Sequence, residues 1–403
     1  MKTLSERGLV GLIGAIQFVN ILDFMMVMPL GPDFARALGI PTSQIGLVGG
    51  SYTFAAAVAA IVSARFIDRF DRRVALALAV LGLALGTLAA ALAVNLATLM
   101  LARVVAGAFG GPATSLALAI IIDSIPAERR GRALGAVMGA FSVAAVLGVP
   151  AGLELARLGG WQAPFVAVGL LGLVAALAAW KRLPPLRGHL EHAIAFGPAS
   201  LRRFLGNGAA RLALAAMGLA MIAAFLIIPN VSAFVQFNLG YPREHLGLLY
   251  LAGGALSFFA MRAGGHLTDR WGAVTVAWLG TLLLVGVLLF GFLLVPPPLP
   301  VVPMFAAFMV AMGVRGVAAN TTITRVPAPH ERAGFMSLNS AVQHIAAAAG
   351  AMGSSALLDA APDGALRGVP SLAAISITLA LTLPLLLARL DRRLVAMPRP
   401  AVG

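Results

Sequence analysis

Cysteine is absent from the 403 residues, which excludes disulfides, thiol chemistry and cysteine-ligated metals. Charge is scarce as well. Only 11% of residues are charged, less than half the roughly 25% of an ordinary soluble domain. With 60% hydrophobic residues and a mean hydropathy of +0.95, the chain has too little polar surface to cover a soluble fold. The same balance excludes disorder. Acids are the rarer charge: 15 acidic residues face 29 basic ones, a net charge of +14. Such a charge alone points to nucleic acid, but the apolar content makes a membrane the stronger reading. What is plentiful is small residues, including 45 glycines, which fit close helix packing in lipid.

Twelve mostly apolar stretches reach the length of about 20 residues that a membrane-crossing helix needs. They run approximately 9–30, 43–64, 74–94, 97–122, 133–156, 161–180, 209–236, 244–266, 273–296, 300–322, 334–358 and 368–390. None alternates like the strands of a barrel, so the expected fold is an all-α integral membrane protein of twelve helices. The first stretch is long and lacks a small-residue cleavage pattern, so it is expected to stay as the first span. With the N-terminus inside and alternating spans, 22 of the 29 basic residues fall on the inner side and four on the outer side. This bias places both ends in the cytoplasm and accounts for the net charge without nucleic acid. The longest polar segment, 181–208, divides the spans six and six. The expected organisation is therefore a six-helix bundle over 1–180, a basic cytoplasmic linker over 181–208 and a second bundle over 209–403. Within the linker, His189, Glu191 and His192 read as a solvated loop, because no third metal ligand lies nearby.

The two halves repeat. Asp68-Arg69 follows the second span and Asp269-Arg270 follows the eighth, 201 residues on. A Pro-x-x-Arg-x-Gly turn at Pro126 recurs at Pro329, 203 residues on. Two landmarks with nearly one offset, on the same side of the membrane, indicate a parallel duplication of six spans.

Charges within spans carry most of the functional information, since each costs about 2.5–3.5 kcal/mol at mid-helix on insertion scales. Asp23 lies past the middle of the first span. Gln17, Asn20 and Asp23 recur at a spacing of three and share one face. A carboxylate in an apolar cavity takes up a proton more readily than one in water, which suits a proton carrier. Arg103 and Arg315 each have two readings: holding the Asp23 charge, or contacting an anionic group of a substrate. Asn339, Ser340, Gln343 and His344 form a polar face in the eleventh span. His344 is either a proton relay or a hydrogen-bonded packing residue. Pro229-Asn230 interrupts the seventh span, where freed backbone groups need polar neighbours or a cavity. Phe24 and the methionines after it suit varied apolar partners. The candidate substrate contacts are thus Gln17, Asn20, Asp23, Phe24, Asn230, Arg315, Asn339 and Gln343. Gly148, Pro150 and Gly152 read as packing and hinge elements.

The order of these motifs resembles the major facilitator superfamily across essentially the whole chain. Asp68-Arg69-x-x-Arg72-Arg73 is similar to that family's signature between spans 2 and 3, with two departures: Ala64 and Asp71 stand where glycines are usual. The second copy keeps both, as Gly265 and Gly272. Arg103 with Gly107 resembles the signature of span 4. Gly148-Val-Pro150-Ala-Gly152 looks like a shortened antiporter signature, and Gly159 to Phe165 fits bacterial drug/proton antiporters and sugar-efflux proteins. The resemblance implies two bundles working by alternating access. It implies that Asp68, Arg69, Arg72, Arg73, Asp269 and Arg270 control conformation, that Asp23 couples protons to substrate, and that Arg103 aids proton transfer by lowering and raising the proton affinity of a nearby acid.

The leading expectation is a proton-driven exporter of small lipophilic or cationic compounds. The alternative is an exporter or symporter of a polar metabolite such as a sugar. The expected partners are substrate, protons and the lipid bilayer, with the protein acting as a monomer in the inner membrane. No cofactor is expected, the proton gradient being the energy source. No Ser/His/Asp set, metal-spaced histidines or phosphate loop points to an enzyme, and no filter-like loop points to a channel.

Overall fold

A long apolar run with no water to bond its backbone must satisfy every N–H and C=O internally, which in a single segment means a helix. In the computed structural model, which describes residues 5–63, 67–187, 198–294, 299–328 and 331–396, eleven helices are long and apolar enough to cross a membrane. The helix over the expected 334–358 stretch, Arg332–Leu357, forms but is not among the eleven. Asn339, Ser340, Gln343, His344, Ser354 and Ser355 make it more polar. His189, Glu191, His192 and Ala64 lie outside the described residues, as does the side chain of Asp68.

The chain divides into two compact units. The first comprises Met1–Ala195, Ile228–Leu251 and Ala351–Arg367. It opens with α1 (Glu6–Met26), capped by Ser5, whose hydroxyl accepts from the Gly8 N–H at 3.2 Å. The apolar run continues to residue 30, but Pro29 disfavours helical geometry in the residue before it. The chain turns and restarts as the short α2 (Gly31–Leu38). Helices α3 (Ile45–Ser63), α4 (Arg72–Ala91) and α5 (Leu96–Ser124) follow. A reciprocal Asn95–Thr98 capping box starts α5. Then come α6 (Ala127–Val143), α7 (Val149–Gly159) and α8 (Gln162–Arg182). Between α6 and α7 the helix widens into a π turn, Ala144–Gly148. Pro150 has no N–H to offer the Val146 carbonyl, which accounts for the distortion. Helix α3 packs on α5, α4 on α5 and α8, and α1 on α6 and α8. Their core includes Ile13, Ile16, Leu76, Val80, Ile120 and Val137.

The same unit contains a small antiparallel pair, β1 (Asp359–Ala360) and β2 (Leu366–Arg367), which the span pattern does not anticipate. Thr42 donates to the Gly364 carbonyl at 2.8 Å. Asn238 and Leu366 exchange two hydrogen bonds of 2.9 Å. Arg243 grips Asp33 through Nε and Nη2, at 2.7 and 2.5 Å, and Nη2 also donates to the Leu153 carbonyl.

The second unit comprises Phe196–Ile227, Ala252–Gly350 and Gly368–Gly403. It holds α9 (Pro198–Gly206) and α10 (Gly208–Ile227). A single turn, α11 (Val231–Ala233), belongs to the first unit, as does α12 (Leu246–Trp271) up to Leu251; the remainder of α12 belongs to the second. Helices α13 (Ala273–Leu288), α14 (Val301–Ile323), α15 (Arg332–Leu357) and α16 (Val369–Ala396) complete the chain. Here α10 packs on α16, and α13 on α14 and α16. Phe204 and Phe335 meet edge to face at 5.4 Å within this core.

Candidate functional site

Asp23 and Arg103 are both 0% exposed and form a two-pronged ion pair. Arg103 Nη1 donates to Asp23 Oδ1 at 2.8 Å, and Nη2 to Oδ2 at 2.9 Å. Nη2 also reaches the Asp23 carbonyl at 3.3 Å. This forked geometry is the strongest that an arginine and a carboxylate make. Of the two readings open for Arg103, the geometry selects one: it holds the Asp23 charge. Thr87 of α4 adds a third donor, its hydroxyl 2.7 Å from Asp23 Oδ1.

The guanidinium is covered on one face by Tyr52 of α3, whose ring centroid lies 4.6 Å from the Arg103 carbon. Such a contact strengthens when water is excluded. The Tyr52 hydroxyl donates to Asn20 Oδ1 at 3.0 Å. Asn20 in turn donates to the Gly110 carbonyl at 2.9 Å and to Thr114 at 2.7 Å. Phe24 stacks on Tyr52 at 5.5 Å. The structure therefore brings together Asn20, Asp23, Phe24 and Arg103 of the residues that the sequence singles out. Gln17 is buried one turn away on α1, its Oε1 without a hydrogen-bond partner among the described residues.

Tyr52, Thr87 and Thr114 complete the cluster and are not singled out by the sequence. An uncharged polar side chain in a span is common, so it gives little signal. Two cues exist: Thr87 interrupts an otherwise Ala-, Leu- and Gly-rich helix, and Tyr52 is one of three tyrosines in the chain. Helix packing depends on glycine here. A Cβ on Gly107 would lie 2.3 Å from the Tyr52 backbone oxygen, and one on Gly110 would lie 2.3 Å from the Tyr52 hydroxyl.

The remaining residues fall elsewhere. Arg315 on α14 is buried against Thr281 and the Ala380 carbonyl. Asn339 is buried with both amide atoms unbonded among the described residues, whereas Gln343 and His344 are half-buried. Asn230 is buried in a tight turn, Ile228–Asn230. Gly148 lets α1 approach: a Cβ there would lie 2.7 Å from Leu22. Pro150 enters the first turn of α7, and Gly152 is buried beside it.

Among the loop residues, Arg72 pairs with Asp123 at the far end of α5. Arg73 stacks over Trp180 at 5.6 Å. Asp269 and Arg270 are exposed. A cavity of about 340 Å³ lies by the first loop, lined by Arg69, Phe70, Asp71, Val74 and Arg187. None of these belongs to the buried cluster.

Asp71, one of the departures from the family pattern, has a clear local role. It is the N-cap of α4, accepting from the Arg73 N–H at 2.9 Å. It also accepts from the Leu186 N–H at 3.0 Å and from Arg187. Gly272, 201 residues on, is the N-cap of α13 with φ +84°, a conformation open to glycine. Asp71 reaches the equivalent cap with φ −56° and a side-chain acceptor instead. Partial burial pushes the Asp71 carboxyl up, but the donors from Leu186, Arg73 and Arg187 outweigh it and hold it below its ordinary value. A carboxylate depressed in this way stabilises the fold above about pH 4 and loses that contribution as pH falls through its folded value. Asp71→Ala is expected to cost about 1 kcal/mol, the usual loss for an N-cap, whereas Asp71→Asn keeps most of the cap. Thermal unfolding from pH 7 to pH 3 checks this: the margin of wild type over Asp71→Asn narrows on acidification.

Comparison with known proteins agrees with this architecture. The family model described as Major Facilitator Superfamily matches residues 13–351. A chloramphenicol resistance protein of Streptomyces lividans is 30% identical over 274 residues, which cover 68% of this chain and 69% of that protein. The purine ribonucleoside efflux pump NepI of Escherichia coli (strain K12) is 26% identical over 270 residues, 66% of either chain. Among solved structures, a bacterial homologue of the human lysosomal transporter Spinster matches with a TM-score of 0.74 at 18% identity, over 98% of both chains. The nucleoside transporter NupG matches with a TM-score of 0.74 at 12% identity, over 95% of this chain and 99% of that one. At such identities the structural likeness is one of fold. The chain belongs to the Major Facilitator Superfamily, and is a multi-pass membrane transporter rather than an enzyme.

Proposed function

We propose that the protein is a proton-coupled exporter of small lipophilic or cationic compounds, working by alternating access. In this reading twelve spans form two six-helix bundles, 1–180 and 209–403, joined by the 181–208 linker. The protein acts as a monomer in the inner membrane with both termini in the cytoplasm, driven by the proton gradient and without a cofactor. The name of one of the two sequence relatives, an efflux pump, supports export.

The observation that carries the reading is the buried Asp23–Arg103 pair. Arginine does not release its proton in a protein, so in this reading the carboxylate of Asp23 is the partner that carries the transported proton. Protonating Asp23 turns an ion pair into a neutral hydrogen bond and leaves Arg103 without its counter-charge. That state is costly in a dry site, so proton entry favours rearrangement around α1, α4 and α5. Tyr52 and Thr87 hold the two partners in register meanwhile. Phe24, half-buried and stacked on Tyr52, offers an aromatic surface to an apolar substrate. A second reading, transport of a polar metabolite, is favoured by the hydrogen-bonding set Gln17, Asn20 and Tyr52, and by the nucleoside named for one relative. His344, Asn230, Arg315, Asn339 and Gln343 remain proposed contributors, as do Asp68, Arg69, Arg72, Arg73, Asp269 and Arg270 for conformational control.

Proteoliposomes with an imposed pH gradient test the proposal, with chloramphenicol and inosine as probes. Wild type is expected to accumulate at least one of them with proton counterflow. Asp23→Asn is expected to bring gradient-driven accumulation to background while substrate exchange without a gradient persists. Full gradient-driven transport by Asp23→Asn sinks the assignment.

A further inference from the structure

Arg315 is a buried cation with no neutralising carboxylate among the described residues. It lies mid-way along α14 and is 3% exposed. A guanidinium has five N–H donors. Here Nε donates to Thr281 Oγ1 at 3.2 Å and Nη2 to the Ala380 carbonyl at 3.3 Å. Nη1 meets the Met312 sulfur at 4.0 Å, a weak acceptor. Both Nη1 protons and one Nη2 proton therefore have no oxygen acceptor among the described residues. The oxygen contacts are longer than the 2.8 and 2.9 Å by which Arg103 holds Asp23.

The acids of its own unit are paired with other arginines or exposed. The second unit has three: Asp269, Glu331 and Asp391. Glu331 pairs with Arg203 at 2.9 Å and Asp391 with Arg325 at 3.1 Å. Asp269 is exposed near the end of α12. In the first unit, Asp23 is taken by both arms of Arg103, and Glu154 by Arg157. No carboxylate among the described residues pairs with Arg315. A guanidinium cannot shed its proton to escape the cost of burial. Gly280 keeps the place open for it: a Cβ there would come within 2.8 Å of the Arg315 Cγ.

We infer that Arg315 is an anion-binding site, whose unpaired edge takes a halide or a carboxylate. The end-on edge formed by Nη1 and Nη2 is the one that chelates a carboxylate. The Thr281 and Ala380 contacts fix the plane of the fork, so the site is oriented before its ligand arrives. The inference stands apart from proton coupling at Asp23, because it uses none of that cluster.

The test is the unfolding temperature of the purified full-length protein, read by tryptophan fluorescence. Chloride is titrated against methanesulfonate, which is neither a halide nor a carboxylate, at constant ionic strength, and sodium benzoate is titrated in the same way. A ligand bound by the folded state raises the midpoint in a saturable manner. A saturable rise with chloride assigns the site to an inorganic anion, and one with benzoate alone assigns it to an organic carboxylate. In Arg315→Met the rise is expected to vanish, while the midpoint in methanesulfonate alone equals or exceeds that of wild type. Arg315→Lys is expected to retain a weaker response. A flat wild-type titration with both anions overturns the inference, whether or not the variants fold. So does an undiminished response in Arg315→Met.

Discussion

Replacing Asp23 with Leu and Arg103 with Met together is expected to restore most of the stability that either single change removes, while transport stays at background. Either single change strands a charge that is 0% exposed. Breaking a buried pair by removing one partner costs about 3–5 kcal/mol, whereas replacing both by apolar groups of similar volume is often neutral or stabilising. Asp23→Leu leaves two guanidinium nitrogens without their carboxylate. Arg103→Met leaves Asp23 with Thr87 as its side-chain donor. The double variant strands neither charge, and the single Thr87 hydroxyl proton that served Asp23 turns to the Leu83 carbonyl, 2.9 Å away. Unfolding temperatures of the three variants in detergent, set beside gradient-driven transport in vesicles, separate structure from function. A double variant as unstable as the singles means that the pair is not an isolated electrostatic unit. A double variant that transports removes the pair from the mechanism.

Gly107→Ala is expected to be the most damaging single-carbon change near the site. The added atom would meet the Tyr52 carbonyl oxygen at 2.3 Å, and its carbonyl carbon and Cα at 3.0 Å. All three are backbone, so no rotamer change relieves the clash and α3 must move away from α5. Overpacking of this kind costs about 1–3 kcal/mol. The displacement also carries the Tyr52 ring off the Arg103 guanidinium, so transport falls with stability. Gly14→Ala on α1 is the control, because nothing lies within 4 Å of its added carbon and alanine favours a helix by about 1 kcal/mol over glycine. Unfolding midpoints and transport rates of the two variants check the contrast. Equal behaviour would mean that the α3–α5 contact tolerates expansion.

Much of the fold and part of the site are legible in the sequence, for a simple energetic reason. A charge in a span is expensive and therefore conspicuous, so Asp23, Arg103 and Arg315 stand out from their apolar surroundings. Their partners do not. Thr87 and Tyr52 cost little to bury, and only their distances to Asp23 and Arg103 reveal a role. The pairing itself emerges only in the fold, since two arginines are eligible for Asp23 by sequence. Asp33 and Arg243 look like ordinary loop charges, because nothing in local sequence joins residues 210 positions apart. Asp71 is visible as a break in the family pattern, but a motif comparison cannot say that a carboxylate does the capping that glycine geometry does at Gly272. The end of α1 shows the limit of hydropathy: Met28 and Leu30 extend the apolar run, while Pro29 ends the helix.

The contacts of the first unit also carry an order in time. Asp23 and Arg103 are 80 residues apart, so their pair can close once α5 has been synthesised. Asp33 waits for Arg243, 210 residues later, and Thr42 waits for Gly364, 322 residues later. Domains generally fold as units during synthesis, N-terminal first. The buried pair can thus close before the second half of the chain is made. Asp33 waits until Arg243 has been made, well into the second half of the chain, and the Thr42–Gly364 bond closes later still.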